Sequence, residues 1–74
     1  MYIEIDFNQV EGYDKLSDTA KKVFERVYKQ HNATQGMDYK EKYIPTSVTE
    51  YKDHLKVKFQ GDFWLHYLPD GTWY

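Results

Sequence analysis

The sequence predicts an α+β fold in two layers, in which one amphipathic helix packs on a mainly antiparallel sheet of four to five short strands. Apolar residues alternate with charged or other residues over 55–67, and two tight-turn signals divide the stretch 55–74 into three extended segments. Apolar residues at three- and four-residue spacing mark one helix between residues 16 and 31. A further alternating segment opens the chain, so the predicted order is β-α-β-β-β with a short last strand.

The first segment, residues 1–7, is predicted to be a half-buried strand. Ile3, Ile5 and Phe7 point to one side of it, whereas Glu4 and Asp6 lie on the solvent side. Acidic side chains there would also discourage pairing between molecules if this strand forms a sheet edge. Because the helix separates this strand from the others, the sequence does not identify the strand with which it pairs.

The helix follows a loop over residues 8–15. Its apolar stripe consists of Leu16, Ala20, Val23, Phe24, Val27, Tyr28 and His31. Ser17 or Asp18 is the expected N-cap, because an oxygen on either side chain can accept a hydrogen bond from a free backbone N–H. On the opposite face, residues of opposite charge stand four positions apart and can pair. These pairs are Asp18/Lys22, Lys21/Glu25 and Glu25/Lys29.

Residues 32–44 are predicted to end the helix and form an irregular loop. Asn32-Ala33-Thr34 matches the N-glycosylation pattern, although a residue at the helix C-terminus is the simpler interpretation of Asn32. Asp38 can cap a single helical turn. Pro45 favours extended geometry in the preceding residue, and a strand is predicted over residues 46–51.

Residues 55–67 admit two hairpin registers. A three-residue loop over 60–62 pairs Phe59 with Phe63, whereas a two-residue loop over 61–62 pairs Phe59 with Trp64. We favour the three-residue loop because it produces one continuous apolar face. That face holds Leu55, Val57, Phe59, Phe63, Leu65, Tyr67 and Trp73, and the other face holds Lys56, Lys58, Trp64, His66, Leu68 and Tyr74. A Pro69-Asp70-Gly71 loop pairs Tyr67 with Trp73.

Length and composition predict one small α+β domain over residues 1–74. A core of this size supplies roughly 3–5 kcal/mol, and the chain has no cysteine with which to add a disulfide or a thiolate zinc site. The fourteen aromatic residues must therefore carry much of the stability. Formation of a homodimer is another common means of stabilising so small a domain.

The charge and hydropathy patterns favour a cytoplasmic protein without membrane contact. Residues 1–14 carry four acidic side chains and no lysine or arginine, and the net charge of −2 argues weakly against general nucleic-acid binding. No segment approaches the roughly 20 apolar residues of a membrane span. The start of the chain also lacks the basic and apolar regions of a signal peptide.

No catalytic, phosphate-binding or metal-binding motif occurs, so neither a cofactor nor a metal is expected. His31, His54 and His66 are scattered without ligand spacing, and surface or half-buried histidines are the simpler interpretation. His66 is the one candidate general base, but no spacing in the sequence supplies its orienting carboxylate. We therefore expect a protein that is not an enzyme.

The candidate partner-binding residues are Trp64, His66, Tyr74, Lys56 and Lys58. A tryptophan among lysines can anchor a partner protein or stack a nucleic-acid base. The simpler alternative is that residues 33–44, or a second subunit, partly cover Trp64. In the other hairpin register, Trp64 enters the core and the site disappears.

The leading hypothesis is a small non-catalytic protein-interaction module, for example a regulator or inhibitor of a larger assembly. Small size, many aromatic residues and the lack of catalytic motifs are typical of accessory proteins of phages and mobile elements, although no motif identifies a family here. The alternative is single-stranded nucleic-acid binding through the face that carries Trp64, Tyr74, Lys56 and Lys58.

Overall fold

The computed structural model describes residues 1–74 and contains one long helix and a three-stranded antiparallel sheet. Helix α1 spans Asp18–Thr34, and a single-turn helix α2 spans Met37–Lys40. The sheet has the order β1-β2-β3, with strands β1 at Pro45–Glu50, β2 at Leu55–Phe59 and β3 at Phe63–Tyr67. The α+β class is confirmed, whereas the predicted four to five strands and the β-α-β-β-β order are not.

Helix α1 begins at the predicted cap, Ser17. The Ser17 Oγ accepts a hydrogen bond from the N–H of Ala20 at 3.1 Å. The carboxylate of Glu50, at the end of β1, accepts from both the N–H and the Oγ–H of Ser17, at 2.9 and 3.0 Å. A negative charge at a helix N-terminus is favourable, so Glu50 also holds the helix against the sheet.

The buried side of α1 packs on one side of the sheet. Its buried residues are Ala20, Val23, Phe24, Val27, Tyr28, His31 and Asn32. The buried residues of the sheet include Val48, Leu55, Val57, Phe59 and Tyr67. Contacts between rings join the two layers, with Phe24 and Tyr67 at 6.1 Å and His31 and Phe59 at 5.5 Å between ring centroids. The other side of the sheet, which we call the outer face, points away from α1.

The β2–β3 hairpin adopts the predicted three-residue loop. Phe59 stands opposite Phe63, and Leu55 stands opposite Tyr67. The residue with a positive φ in this turn is Asp62, with a φ of 67°, and not Gly61. Gly61 is required for space instead, because a Cβ there would lie 2.5 Å from the ring of Phe63.

The prediction of a first strand over residues 1–7 is wrong. No residue of this segment pairs with the sheet, and a short 3-10 helix begins at Phe7. Its backbone instead bonds to side chains of α1: the N–H of Ile3 donates to Asn32 Oδ1 at 2.8 Å, and its carbonyl accepts from the Tyr28 hydroxyl at 2.6 Å. The alternation of apolar and acidic residues reflects an extended segment that lies along the core.

The predicted last strand is reduced to a single bridge between Tyr67 and Trp73. The pairing is the predicted one, because the N–H of Leu68 donates to the carbonyl of Thr72 at 2.8 Å and the N–H of His66 donates to that of Tyr74 at 2.8 Å. At the opposite edge of the sheet, Glu11 makes a parallel bridge to Ser47. The first part of the chain thus contributes one bridging residue to the sheet.

The predicted charge pairs on α1 do not form, since no lysine or arginine lies within 4.0 Å of a carboxylate. Glu25 accepts a hydrogen bond from the hydroxyl of buried Tyr13, and this bond raises the pKa of Tyr13 to about 12. The Nζ of Lys21 lies 5.3 Å from the centre of the Tyr13 ring. The predicted turn after α1 exists as α2, but its N-cap is Gly36 rather than Asp38.

Gly12 permits a close approach between the first loop and β1. Its φ is +90°, and a Cβ there would lie 2.3 Å from the carbonyl oxygen of Val48. Gly12→Ala should therefore lower the free energy of unfolding by roughly 1–3 kcal/mol. At Gly36 the nearest atom lies 4.0 Å away, so Gly36→Ala should cost less than about 1 kcal/mol. Chemical denaturation measures both variants, and equal stabilities would contradict the prediction.

Candidate partner-binding face

The structure brings the five candidate residues together on the outer face. Lys56 lies opposite His66 in the pairing of β2 with β3, and Lys58 lies opposite Trp64. Tyr74 is placed beside His66 by two backbone hydrogen bonds, at 2.8 and 3.1 Å. The three-residue hairpin loop sets this arrangement, because a shift of one residue would turn Trp64 toward α1.

Five rings form a continuous row across the outer face, which we call the aromatic row. Its members are Tyr51, His54, His66, Trp64 and Tyr74. Tyr51 stacks on His54 with ring centroids 4.9 Å apart, and His54 lies 4.7 Å from His66. His66 in turn contacts Trp64 at 5.0 Å and Tyr74 at 4.7 Å. His66 is therefore the centre of the row.

Sequence reasoning missed Tyr51 and His54. His54 precedes β2 by one residue, so the period of two that places Lys56 and Lys58 outward extends to it. Tyr51 joins the row through the turn, where its N–H donates to the carbonyl of His54 at 2.9 Å. This contact depends on the shape of the turn over residues 52–53, which no periodic pattern reveals.

The outer side chains of the aromatic row are open to solvent. Trp64 is 49% exposed, Tyr51 49% and Tyr74 61%. The alternative cover for Trp64, the segment 33–44, lies on the helix side of the sheet, where Tyr43 contacts His31 at 4.7 Å. The Lys56 Nζ lies 4.6 Å from the centre of the Trp64 ring, in a cation–π arrangement that orients the ring.

Strands β2 and β3 carry two lysines and no acidic residue, and the acidic residues near this face lie in the adjoining turns, at Asp53 and Asp62. Residues 55–59, 63–67 and 72–74 contain two lysines, one histidine and no aspartate or glutamate. The one contact within 4.0 Å between a carboxylate and a basic side chain joins Asp53 to His54 Nδ1 at 2.7 Å, and this hydrogen bond lowers the pKa of Asp53. The ammonium groups of Lys56 and Lys58 therefore have no carboxylate partner.

The geometry provides an oriented histidine but no nucleophile. Asp53 orients the ring of His54, a pair that the sequence reasoning did not identify. No hydroxyl group makes a hydrogen bond to His54 or His66. No group of three histidine, cysteine or acidic side chains is arranged to hold a metal ion.

The third histidine, His31, is enclosed in the core rather than at the surface. It is 1% exposed and contacts the rings of Tyr43, Trp73, Phe59 and Tyr67. Burial lowers the pKa of His31 to about 4, so the ring is neutral at pH 7. The Tyr67 hydroxyl, whose pKa is raised by burial, has no other acceptor and donates to His31 Nδ1 at 2.9 Å.

The N-glycosylation pattern falls on a residue that the fold encloses. Asn32 is fully buried, and its Nδ2 donates to the carbonyl of Lys40 at 3.0 Å. The amide that a glycan would modify is therefore inaccessible in the folded chain. None of the helices combines the length and the apolar character that a membrane crossing requires.

Similarity to known proteins adds no assignment to this face. The chain matched no protein-family model, no curated protein and no solved structure. The candidate function therefore rests on the geometry and charge of the outer face.

Proposed function

We propose that the chain is a small non-catalytic protein-interaction module, acting in the cytoplasm as a regulator or inhibitor of a larger assembly. An accessory role of the kind found in phages and mobile elements suits its size and composition. One observation carries the proposal: three large rings, on Tyr51, Trp64 and Tyr74, are each 49–61% exposed on one sheet face. Exposed large rings grouped on a monomer surface are typical of interaction sites.

The rings are well suited to bind a protein because they are held in place before binding. Trp64 contacts both the ring of His66 and the ammonium of Lys56, and Tyr74 packs on His66. Side chains that are already ordered lose little conformational entropy when a partner covers them. Tryptophan and tyrosine are also the residues that most often dominate the energy of protein interfaces.

Affinity capture from a lysate of the cells that make the chain tests the proposal. The bait is the wild-type chain, compared with Trp64→Ala and with Tyr39→Ala as a matched control. Tyr39 is 55% exposed but lies in α2, away from the outer face. We expect Trp64→Ala to retain the captured partner at least about tenfold more weakly, since a central aromatic contact contributes about 1.4 kcal/mol or more. Equal retention by Trp64→Ala and wild type would contradict the proposal.

A second candidate function is single-stranded nucleic-acid binding. The observation in its favour is that Lys56 and Lys58 share the outer face with Trp64 and Tyr74. Against it, the net charge is −2, and Lys56 already occupies one side of the Trp64 ring. This function predicts quenching of Trp64 fluorescence by oligonucleotides that weakens as salt rises. An absence of quenching at low ionic strength would exclude it.

A further inference from the structure

We infer that the partner presents an acidic, extended segment, which pairs as an added strand with the free edge of β3 beside Trp64. This inference rests on the proposed function of the outer face and specifies the chemistry of its partner. Three observations support it independently. The backbone edge of β3 is open, that edge carries no lysine or acidic residue, and the lysines of the outer face have no carboxylate partner.

Two residues of β3, Trp64 and His66, direct their backbone groups away from β2, and only those of Trp64 are unpaired. Both the N–H and the carbonyl of His66 bond to Tyr74, so these groups point away from β2. In an antiparallel strand the direction of the backbone groups alternates, so those of Trp64, two residues earlier, point the same way. Residues 72–74 reach only as far as His66, and no strand lies beside Trp64. A free N–H and a free carbonyl are therefore available at that position.

The two edges of the sheet differ in how well they are protected against pairing with another strand. At the β1 edge, Glu11 covers the backbone, with its N–H donating to Thr46 at 3.1 Å and its carbonyl accepting from Val48 at 2.9 Å. The pairing of β1 with β2 also shifts between Pro45 and Ser47, and such irregularities discourage the addition of strands. Along β3, residues 72–74 cover the backbone only at His66, and no shift in pairing protects the rest. The sequence of β3, FWLHY, contains no proline, lysine or acidic residue. An edge of that kind readily accepts an extended peptide.

The charge of the outer face selects an acidic segment. The Lys56 ammonium lies over the Trp64 ring, so it reaches from β2 across to β3. A strand added about 4.8 Å beyond β3 would bring its outward side chains toward this ammonium. Since neither Lys56 nor Lys58 has a carboxylate partner, glutamate or aspartate on the added strand would supply one. A second copy of this chain that paired through the same edge would bring the same uncompensated lysines, so charge argues against that pairing.

Selection of displayed octapeptides tests the inference directly. The library is enriched on the wild-type chain and depleted on Trp64→Ala. We expect enriched peptides to be net acidic and to alternate apolar with acidic residues. Their affinity should fall at least about tenfold with Lys56→Glu or Lys58→Glu, because reversal places like charges together. Lys22→Glu, on the exposed side of α1, is the matched control and should leave the affinity unchanged.

Hydrogen bonding between the peptide backbone and β3 can be tested separately from the effect of charge. Methylation of peptide amide nitrogens, one position at a time, should abolish binding at the one residue that pairs with Trp64 and spare the two residues beside it. Enrichment of neutral or basic peptides, an equal effect of methylation at all positions, or no enrichment at all would overturn the inference. A dimer in sedimentation experiments that Trp64→Ala dissociates would also overturn it, because a second copy would then occupy the edge.

The inference and the proposed function fail separately. If capture of a folded partner depends on Trp64 but not on Tyr39, while no acidic peptide binds, the interaction module stands and strand addition is wrong. If oligonucleotides bind the wild-type chain and Trp64→Ala abolishes that binding, both are overturned.

Discussion

Replacing Asn32 with alanine should lower the free energy of unfolding by roughly 2–5 kcal/mol. Asn32 is fully buried near the end of α1 and joins three parts of the chain. Its Oδ1 accepts from the N–H of Ile3 at 2.8 Å, and its Nδ2 donates to the carbonyl of Lys40 at 3.0 Å. Alanine leaves both backbone groups without a partner, each at a cost of about 1–3 kcal/mol.

Urea denaturation of Asn32→Ala measures this loss. Because the whole core supplies only about 3–5 kcal/mol, the variant should be partly unfolded without denaturant. Asn8→Ala is the matched control, since Asn8 is exposed and its side chain makes no hydrogen bond. Its stability should stay within about 0.5 kcal/mol of wild type. A similar stability of Asn32→Ala and Asn8→Ala would show that Asn32 does not hold the first segment and α2 to the helix.

Acidification from pH 6.5 to pH 4 should remove about 3 kcal/mol of stability through His31. Burial lowers the pKa of His31 to about 4 in the folded chain, against 6.5 for an ordinary histidine. Above pH 6.5 His31 is neutral in both the folded and the unfolded chain, so its full contribution to the free energy of unfolding is present. Between pH 6.5 and 4 the unfolded chain binds a proton that the folded chain excludes, so stability falls. Below about pH 4 both states are protonated, and this loss stops growing.

The measurement is the free energy of unfolding from urea titrations between pH 7 and pH 4, for wild type and for His31→Gln. Glutamine keeps an acceptor for the Tyr67 hydroxyl but does not titrate. We expect His31→Gln to be less stable at pH 7 and to lose less stability on acidification. The lowered pKa values of exposed Asp53 and Asp70 affect both proteins equally. Parallel pH profiles would show that the pKa of His31 is the same in the folded and the unfolded chain, which would contradict the prediction.

The sequence was sufficient to predict the hairpin and its two faces. In β2 the apolar period of two coincides with burial, because α1 and the rings of Tyr43 and Trp73 lie on that side of the sheet. The register that buries Leu55, Val57 and Phe59 therefore also exposes Trp64. The helix and its Ser17 cap follow from equally local signals.

The errors concern residues whose partners are distant in the sequence. Residues 1–7 alternate as a strand does, but the partners of Ile3 are side chains of α1 that lie 25 and 29 positions away. The loop residues Val10, Tyr13 and Leu16 are buried although only Leu16 belongs to a periodic pattern. Tyr51 joins the aromatic row through a turn whose geometry depends on packing.

Acrylamide quenching of two single-tryptophan variants tests the central claim that α1 covers one side of the sheet and leaves the aromatic row open. Trp73→Phe reports on Trp64, which is 49% exposed, and Trp64→Phe reports on Trp73, which packs 5.0 Å from buried His31. We predict stronger quenching of Trp64 than of Trp73 in the folded chain, and equal quenching in urea. Stronger quenching of Trp73 in the folded chain would mean that the two faces are reversed.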